Sequence, residues 1–133
     1  MGKNTIFTGA GIAIVTPMNA DGSVNYAKYR ELIDWQIENG TDAIITCGTT
    51  GESSTLTHEE NTQVIKTAIE QANGRVPVIA GTGSNDTAYG IELSREAQRL
   101  GADALLLVTP YYNKTSQRGL IAHYTAIADA VDL

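Results

Sequence analysis

Four short apolar runs recur along the chain, at residues 11–17 (GIAIVTP), 43–47 (AIITC), 77–82 (PVIAGT) and 104–110 (ALLLVTP). They are rich in β-branched residues, and none alternates apolar with polar. Such runs read as strands buried on both faces, as in a parallel sheet covered by helices. The segments between them carry helical spacing. Asn25 is placed to cap a helix running to about residue 39, with Tyr29, Leu32, Ile33, Trp35 and Ile37 as its apolar positions. Thr57, His58, Glu59 and Glu60 form a capping box that opens a second helix, which Gly74 stops. Ser84 or Asn85 caps a third, ending at Leu100 before Gly101. Ser116 opens a fourth, whose Leu120, Ile121, Tyr124, Ile127, Ala128 and Val131 fall on one stripe.

The pattern repeats internally. GTDAIITCGTTG after the first helix resembles GADALLLVTPYY after the third, with Gly40 and Gly101 in register. Their separation is two strand-plus-helix units of ~30 residues each. Residues 1–133 therefore read as a single (βα)4 domain of the α/β class. Two architectures satisfy this pattern: half of a (β/α)8 TIM barrel, or an open flavodoxin-like sheet. In both, ligands sit at the C-terminal ends of the strands. That face collects Thr16, the adjacent Thr49 and Thr50, GTGSN after the third run and TPYYNK at the end of the fourth.

Composition narrows the function classes. Hydrophobic content of 42% with 18% charged residues is that of a globular domain. A formal net charge of −6, with scattered basic residues, argues against nucleic acid and against an anionic membrane surface. No apolar run approaches the ~20 residues of a membrane span. The N-terminus lacks the apolar centre of a signal peptide, and Cys47 has no second cysteine to pair with, so a cytoplasmic location is expected.

The motifs differ in what they can carry. GAGIAIV places its glycines before a strand, which is the wrong context for a dinucleotide fingerprint. GTGSN reads as a tight turn into a capped helix. GTTGES sets two hydroxyls and several backbone N–H groups in a glycine-bent turn, either a small anion-binding concavity or a hydroxyl-stabilised turn. Without a lysine or magnesium carboxylates, it suits a carboxylate better than a triphosphate. In PYYN at most one of Tyr111 and Tyr112 faces the mouth, because neighbours in extended chain point opposite ways. His58 and His123 read as surface or cap residues, no metal-ligand spacing exists, and Cys47 reads as a small buried hydrophobe.

CGTTGES, AGTGSN and VTPYYNK, in this order and at these intervals, resemble the dihydrodipicolinate synthase family of pyruvate-dependent class I lyases and aldolases. The likeness covers nearly the whole chain and the first half of the family's barrel. It implies a condensation of pyruvate with aspartate semialdehyde, on the route to diaminopimelate and lysine. The pyruvate is held as a Schiff base on a lysine, and no other cofactor is implied. It implies that Thr49 and Thr50 hold the pyruvate carboxylate, that the Thr49 hydroxyl links two tyrosines in a proton relay, and that Tyr112 is the relay tyrosine reaching into a neighbouring subunit. Tyr111 becomes its interface partner. A lysine-effector site found in some members matches Ser53, Ser54, His58, Asn85 and Tyr111, with Tyr89 where those members often carry glutamate.

The same resemblance puts the Schiff-base lysine on the sixth strand, and a second relay tyrosine and a substrate-binding arginine beyond the fourth helix. The lysines here are Lys3, Lys28, Lys66 and Lys114, none of them in a predicted strand. Three expectations follow. As an isolated piece of such a lyase, the chain keeps half a site and no turnover. As a self-sufficient half-barrel, it binds small carboxylates or a full-length relative. In either case it associates with copies of itself through exposed sheet edges and an apolar inner face. A flavodoxin-like phosphate or nucleotide binder is the third reading.

Overall fold

The computed structural model describes residues 5–133; Lys3 and the start of the N-terminal segment lie outside the described residues. Strands and helices alternate strictly: β1 (Gly11–Ala13), α1 (Tyr26–Glu38), β2 (Ala43–Thr46), α2 (His58–Ala72), β3 (Val78–Gly81), α3 (Thr87–Leu100), β4 (Ala104–Leu106) and α4 (Gln117–Ala128). A 3₁₀ turn, Ser53–Thr55, interrupts the loop between β2 and α2.

The sheet is parallel throughout and its order is β1-β2-β3-β4. This order decides between the two architectures. A doubly wound sheet reverses its winding and buries its first strand inside; here β1 and β4 are the two edges, as in a barrel that curls one way. The open flavodoxin-like sheet is excluded, and the nucleotide-binding reading that depended on its switch-point crevice goes with it.

Side chains at alternate strand positions face opposite sides. Ile12, Ile14, Ile44, Val78, Ala80 and Leu105 pack with Tyr29, Ile33, Val64, Ile65 and Ala68 from the helices to form the core. The opposite face carries Ala13, Val15, Ile45, Ile79, Leu106 and Val108. Gly11 belongs there too, since a Cβ on it would meet Ile45 and Phe7 at 3.2–3.3 Å. Burial on both faces, expected of all four strands, holds only for the central pair β2 and β3. In β1 and β4 this second face is open to solvent, and the regular strands are shorter than the apolar runs that predicted them.

The internal repeat has a structural counterpart. Asp42 accepts the Ala10 N–H at 2.8 Å, and Asp103 accepts the Val78 N–H at the same distance. Each aspartate thus ties the start of its own strand to the strand before it. Gly40 and Gly101 precede them with φ of 90° and 94°, a left-handed turn that a glycine adopts freely.

Asn25, Thr57 and Ser116 cap their helices as predicted, and the Thr57–Glu60 capping box is complete. The third cap is different. Asp86, rather than Ser84 or Asn85, accepts from Ala88 and Tyr89, while Ser84 accepts the Asp86 N–H. At the end of α2 it is Asn73, in left-handed conformation, that closes the helix ahead of Gly74. Trp35 lies off the packed side of α1 and is 56% exposed; Tyr29 and Ile33 alone of that helix are fully buried. His123 is buried rather than superficial, with Nδ1 2.9 Å from the Thr87 hydroxyl.

Candidate functional site

The chain leaves β2 through Cys47, which takes a left-handed φ of 54° and swings the next residues across the strand ends. A compact loop follows, closed by Gly51 N–H to Gly48 O (3.1 Å) and Glu52 N–H to Thr49 O (3.0 Å). Thr16, just past β1, donates its hydroxyl to the Gly51 carbonyl at 2.7 Å. Thr49 and Thr50 sit at the exposed crest. Among the described residues, neither their backbone N–H groups nor their hydroxyls have a hydrogen-bond partner. Two adjacent amides without acceptors, on a loop bent back by its glycines, form a concavity suited to an anion.

Beside this loop lies a cavity of about 570 Å³ at the C-terminal ends of β2, β3 and β4. Gly48, Thr49, Ser53, Ser54, Ser84, Tyr89 and Tyr111 give it a polar wall, and Leu56, Leu93, Leu106 and Val108 an apolar one. Thr50 does not line it. The glycines of GTGSN make room for these walls. A Cβ on Gly81 would stand 2.2 Å from the Cys47 carbonyl oxygen, and one on Gly83 would stand 2.7 Å from the Val108 backbone nitrogen. They serve close approach of neighbouring strand ends, a role that a turn reading of GTGSN misses.

The two tyrosines part company. Tyr111 lines the cavity, and its carbonyl accepts from Asn85 at 3.2 Å. Tyr112 is fully exposed, on a left-handed residue with φ of 65°. No hydrogen bond joins either phenol to Thr49 among the described residues. Of the residues matched to an effector site, Ser53, Ser54 and Tyr111 line the cavity, with Asn85 bonded to Tyr111. His58, the first residue of α2, places Nδ1 3.3 Å from the hydroxyl of Tyr89.

Buried hydroxyls brace the loops from behind. The Tyr29 and Thr46 hydroxyls are 2.7 Å apart, and Thr46 in turn contacts Cys47 Sγ at 3.7 Å. Thr82 pairs with Ser94 at 2.9 Å, and Ser94 donates to Gly90 O. Burial raises the Tyr29 phenol well above its ordinary value and pushes the Cys47 thiol up to about 11, partly offset in both by Thr46. Partial burial, with Glu92, Glu59 and Tyr111 nearby, raises the Tyr89 phenol. Sequence reasoning missed these braces. The available signal was a threonine near the end of each of the first three apolar runs, at Thr16, Thr46 and Thr82. Among the described residues, no group of three or more His, Cys, Asp or Glu could hold a metal ion.

A family model described as the dihydrodipicolinate synthetase family matches residues 6–133. The chain belongs to this family. It is 68% identical over 128 residues to the 4-hydroxy-tetrahydrodipicolinate synthase of Lachnoclostridium phytofermentans, covering 96% of this chain and 44% of that relative. The crystal structure of the chloride-inhibited dihydrodipicolinate synthase of Acinetobacter baumannii, complexed with pyruvate, superposes with a TM-score of 0.95 at 58% identity, over 97% of this chain and 44% of that one. The enzyme of Cyanidioschyzon merolae, solved with lysine bound, gives 0.93 at 42% identity, over 96% and 44%. The chain thus spans less than half the length of these dihydrodipicolinate synthases and matches the N-terminal half of their TIM barrel.

Proposed function

We propose that the loop carrying Thr49 and Thr50 holds the carboxylate of pyruvate or a similar keto acid, as part of a synthase condensing pyruvate with aspartate semialdehyde. The observation that carries this reading is the pair of adjacent amides and hydroxyls without partners, of which Thr49 lines a cavity with polar and apolar walls. A carboxylate offers two acceptor oxygens to such a pair, and charge-assisted bonds of this kind are roughly twice as strong as neutral ones. In this reading Thr49 also relays a proton. Tyr112, exposed and disengaged here, completes the relay only in a neighbouring subunit's site, with Tyr111 packing at that interface. A lone buried thiol fits a reducing compartment, and we place the protein in the cytoplasm.

The covalent step needs a neutral amine, and none of the described lysines lies in a strand or in the cavity wall. Lys28 pairs with Glu31 and Lys66 with Glu70 on exposed helix surfaces, and Lys114 is exposed between β4 and α4. The described lysines thus leave the bound keto acid without an imine partner. Adding pyruvate to the labelled protein should shift the Thr49 and Thr50 amide resonances, and borohydride should leave its mass unchanged. Silent amides would remove the carboxylate reading, and a reduced lysine adduct would remove the claim that these residues do not form the imine.

The far end of the cavity bears on regulation. Tyr89 offers a neutral phenol, held to His58, where an ammonium ligand would need a carboxylate. Lysine inhibition should accordingly be weak or absent, and calorimetric binding of lysine at micromolar strength would contradict this.

A further inference from the structure

We propose that Thr16 is a positioning residue for carboxylate binding: its hydroxyl latches the 48–52 loop to the end of β1 and holds the Thr49 and Thr50 amides in place. The proposal rests on the carboxylate reading above and adds a residue outside the cavity wall already described.

Thr16 is 5% exposed, and its hydroxyl donates to the Gly51 carbonyl across 35 positions of sequence. The loop's other hydrogen bonds, Gly51 to Gly48, Glu52 to Thr49, Ser53 to Gly48 and Thr55 to Glu52, are local. Among the described residues, the Thr16 bond is the one that ties residues 48–52 to another strand. Both ends of it are fixed. Ile14 N–H donates to Ile45 O at 3.0 Å and Asn25 N–H to Pro17 O at 2.8 Å, which hold the chain on either side of Thr16. Gly51 is buried, and a Cβ there would come within 3.2 Å of Ile14 O and 3.3 Å of the Thr16 hydroxyl. The absence of a side chain at Gly51 is what lets the loop reach the latch.

A second Val-Thr-Pro run supplies a control within the molecule. Val15, Thr16 and Pro17 recur as Val108, Thr109 and Pro110. Thr109 is exposed and lies 3.2 Å from the Tyr124 hydroxyl, touching no loop carbonyl. The latch is therefore particular to the unit beside the Thr49 and Thr50 amides. Amides that bind an anion gain affinity when they are held in the bound geometry beforehand, because less order is lost on binding.

Thr16→Val keeps shape and removes the donor, leaving a buried carbonyl unsatisfied; Thr16→Ser restores the donor. With pyruvate as the probe and amide NMR on the whole chain, Thr16→Val should weaken binding by about tenfold, the effect of one lost buried hydrogen bond. Amide exchange should quicken at Gly51 and Glu52, whose N–H groups close the loop, and stay unchanged in α2 and β3. Thr16→Ser should bind within about twofold of the unaltered protein. Equal affinity in Thr16→Val, or equal loss in Thr16→Ser, overturns the latch. If the unaltered protein shows no response to pyruvate, the carboxylate reading fails by itself, and the latch is judged by loop exchange alone: faster in Thr16→Val supports it, unchanged overturns it. Should Thr16→Val not fold, the unaltered protein decides: a Thr16 hydroxyl proton protected from solvent exchange supports the latch, and a freely exchanging one overturns it.

Discussion

Cys47 shows how much chemistry a single position can lose by burial. Its thiol sits behind the loop at 3% exposure, with Thr46 on one side and the Asn61 carbonyl 3.7 Å away on the other. Raised from 9.0 to about 11, it holds its proton more tightly folded than unfolded. The stability this confers is complete below pH 9 and is lost as pH rises through 9 to 11, amounting to on the order of 2 kcal/mol. Tyr29, raised for the same reason, acts in the same direction at still higher pH. Urea unfolding should therefore give a midpoint that is level from pH 7 to 9 and falls above it. A thiol reagent at pH 8 should modify Cys47 at least tenfold more slowly in the folded protein than in urea, since only the thiolate reacts. The sequence reads Cys47 as a small buried hydrophobe, and its 3% exposure agrees: burial keeps the thiol inert.

At the scale of elements, the helices were more legible than the strands. Caps are local: Asn25, Thr57 and Ser116 act on backbone amides two or three residues on, so their chemistry is visible in a short window. Asp86 was passed over because Ser84, Asn85 and Asp86 are all competent caps, and only the path of the chain after β3 decides which one aligns. Strand ends are set by partners far away in sequence. Gly81 is the clearest instance, because the atom that forbids a side chain there belongs to Cys47 on the neighbouring strand. Gly81→Ala should drive β2 and β3 apart at the cavity wall, and a loss of about 3 kcal/mol or more in urea unfolding is the expected result. A midpoint within experimental error of the unaltered protein would show that β3 can shift without cost.

For the molecule as a whole, the decisive features are the two edges and the face between them. β1 and β4 each have one side without a strand partner among the described residues. Val15, Leu106 and Val108 are 49%, 43% and 37% exposed on the face away from the helices. Unpaired edges and a contiguous apolar face favour pairing with further strands. Purified as these residues alone, the polypeptide should sediment as an associated species whose mass rises with concentration. A single monomeric boundary across a hundredfold range of concentration would show that the face is stable in water.

The sequence by itself determined the number and order of the βα units, three of the four helix caps, the repeat, and the loop bearing Thr49 and Thr50. Each of these is written in local chemistry: apolar runs, hydroxyl caps and glycine turns act within a few residues. Only the tertiary structure decided between a sheet that curls and one that reverses, because strand order is a relation among segments tens of residues apart. It alone set Thr16 against Gly51, Tyr29 against Thr46 and His123 inside the α3–α4 contact. A hydrogen bond between distant residues leaves no spacing to read, and it exists only once the chain has brought its two ends together.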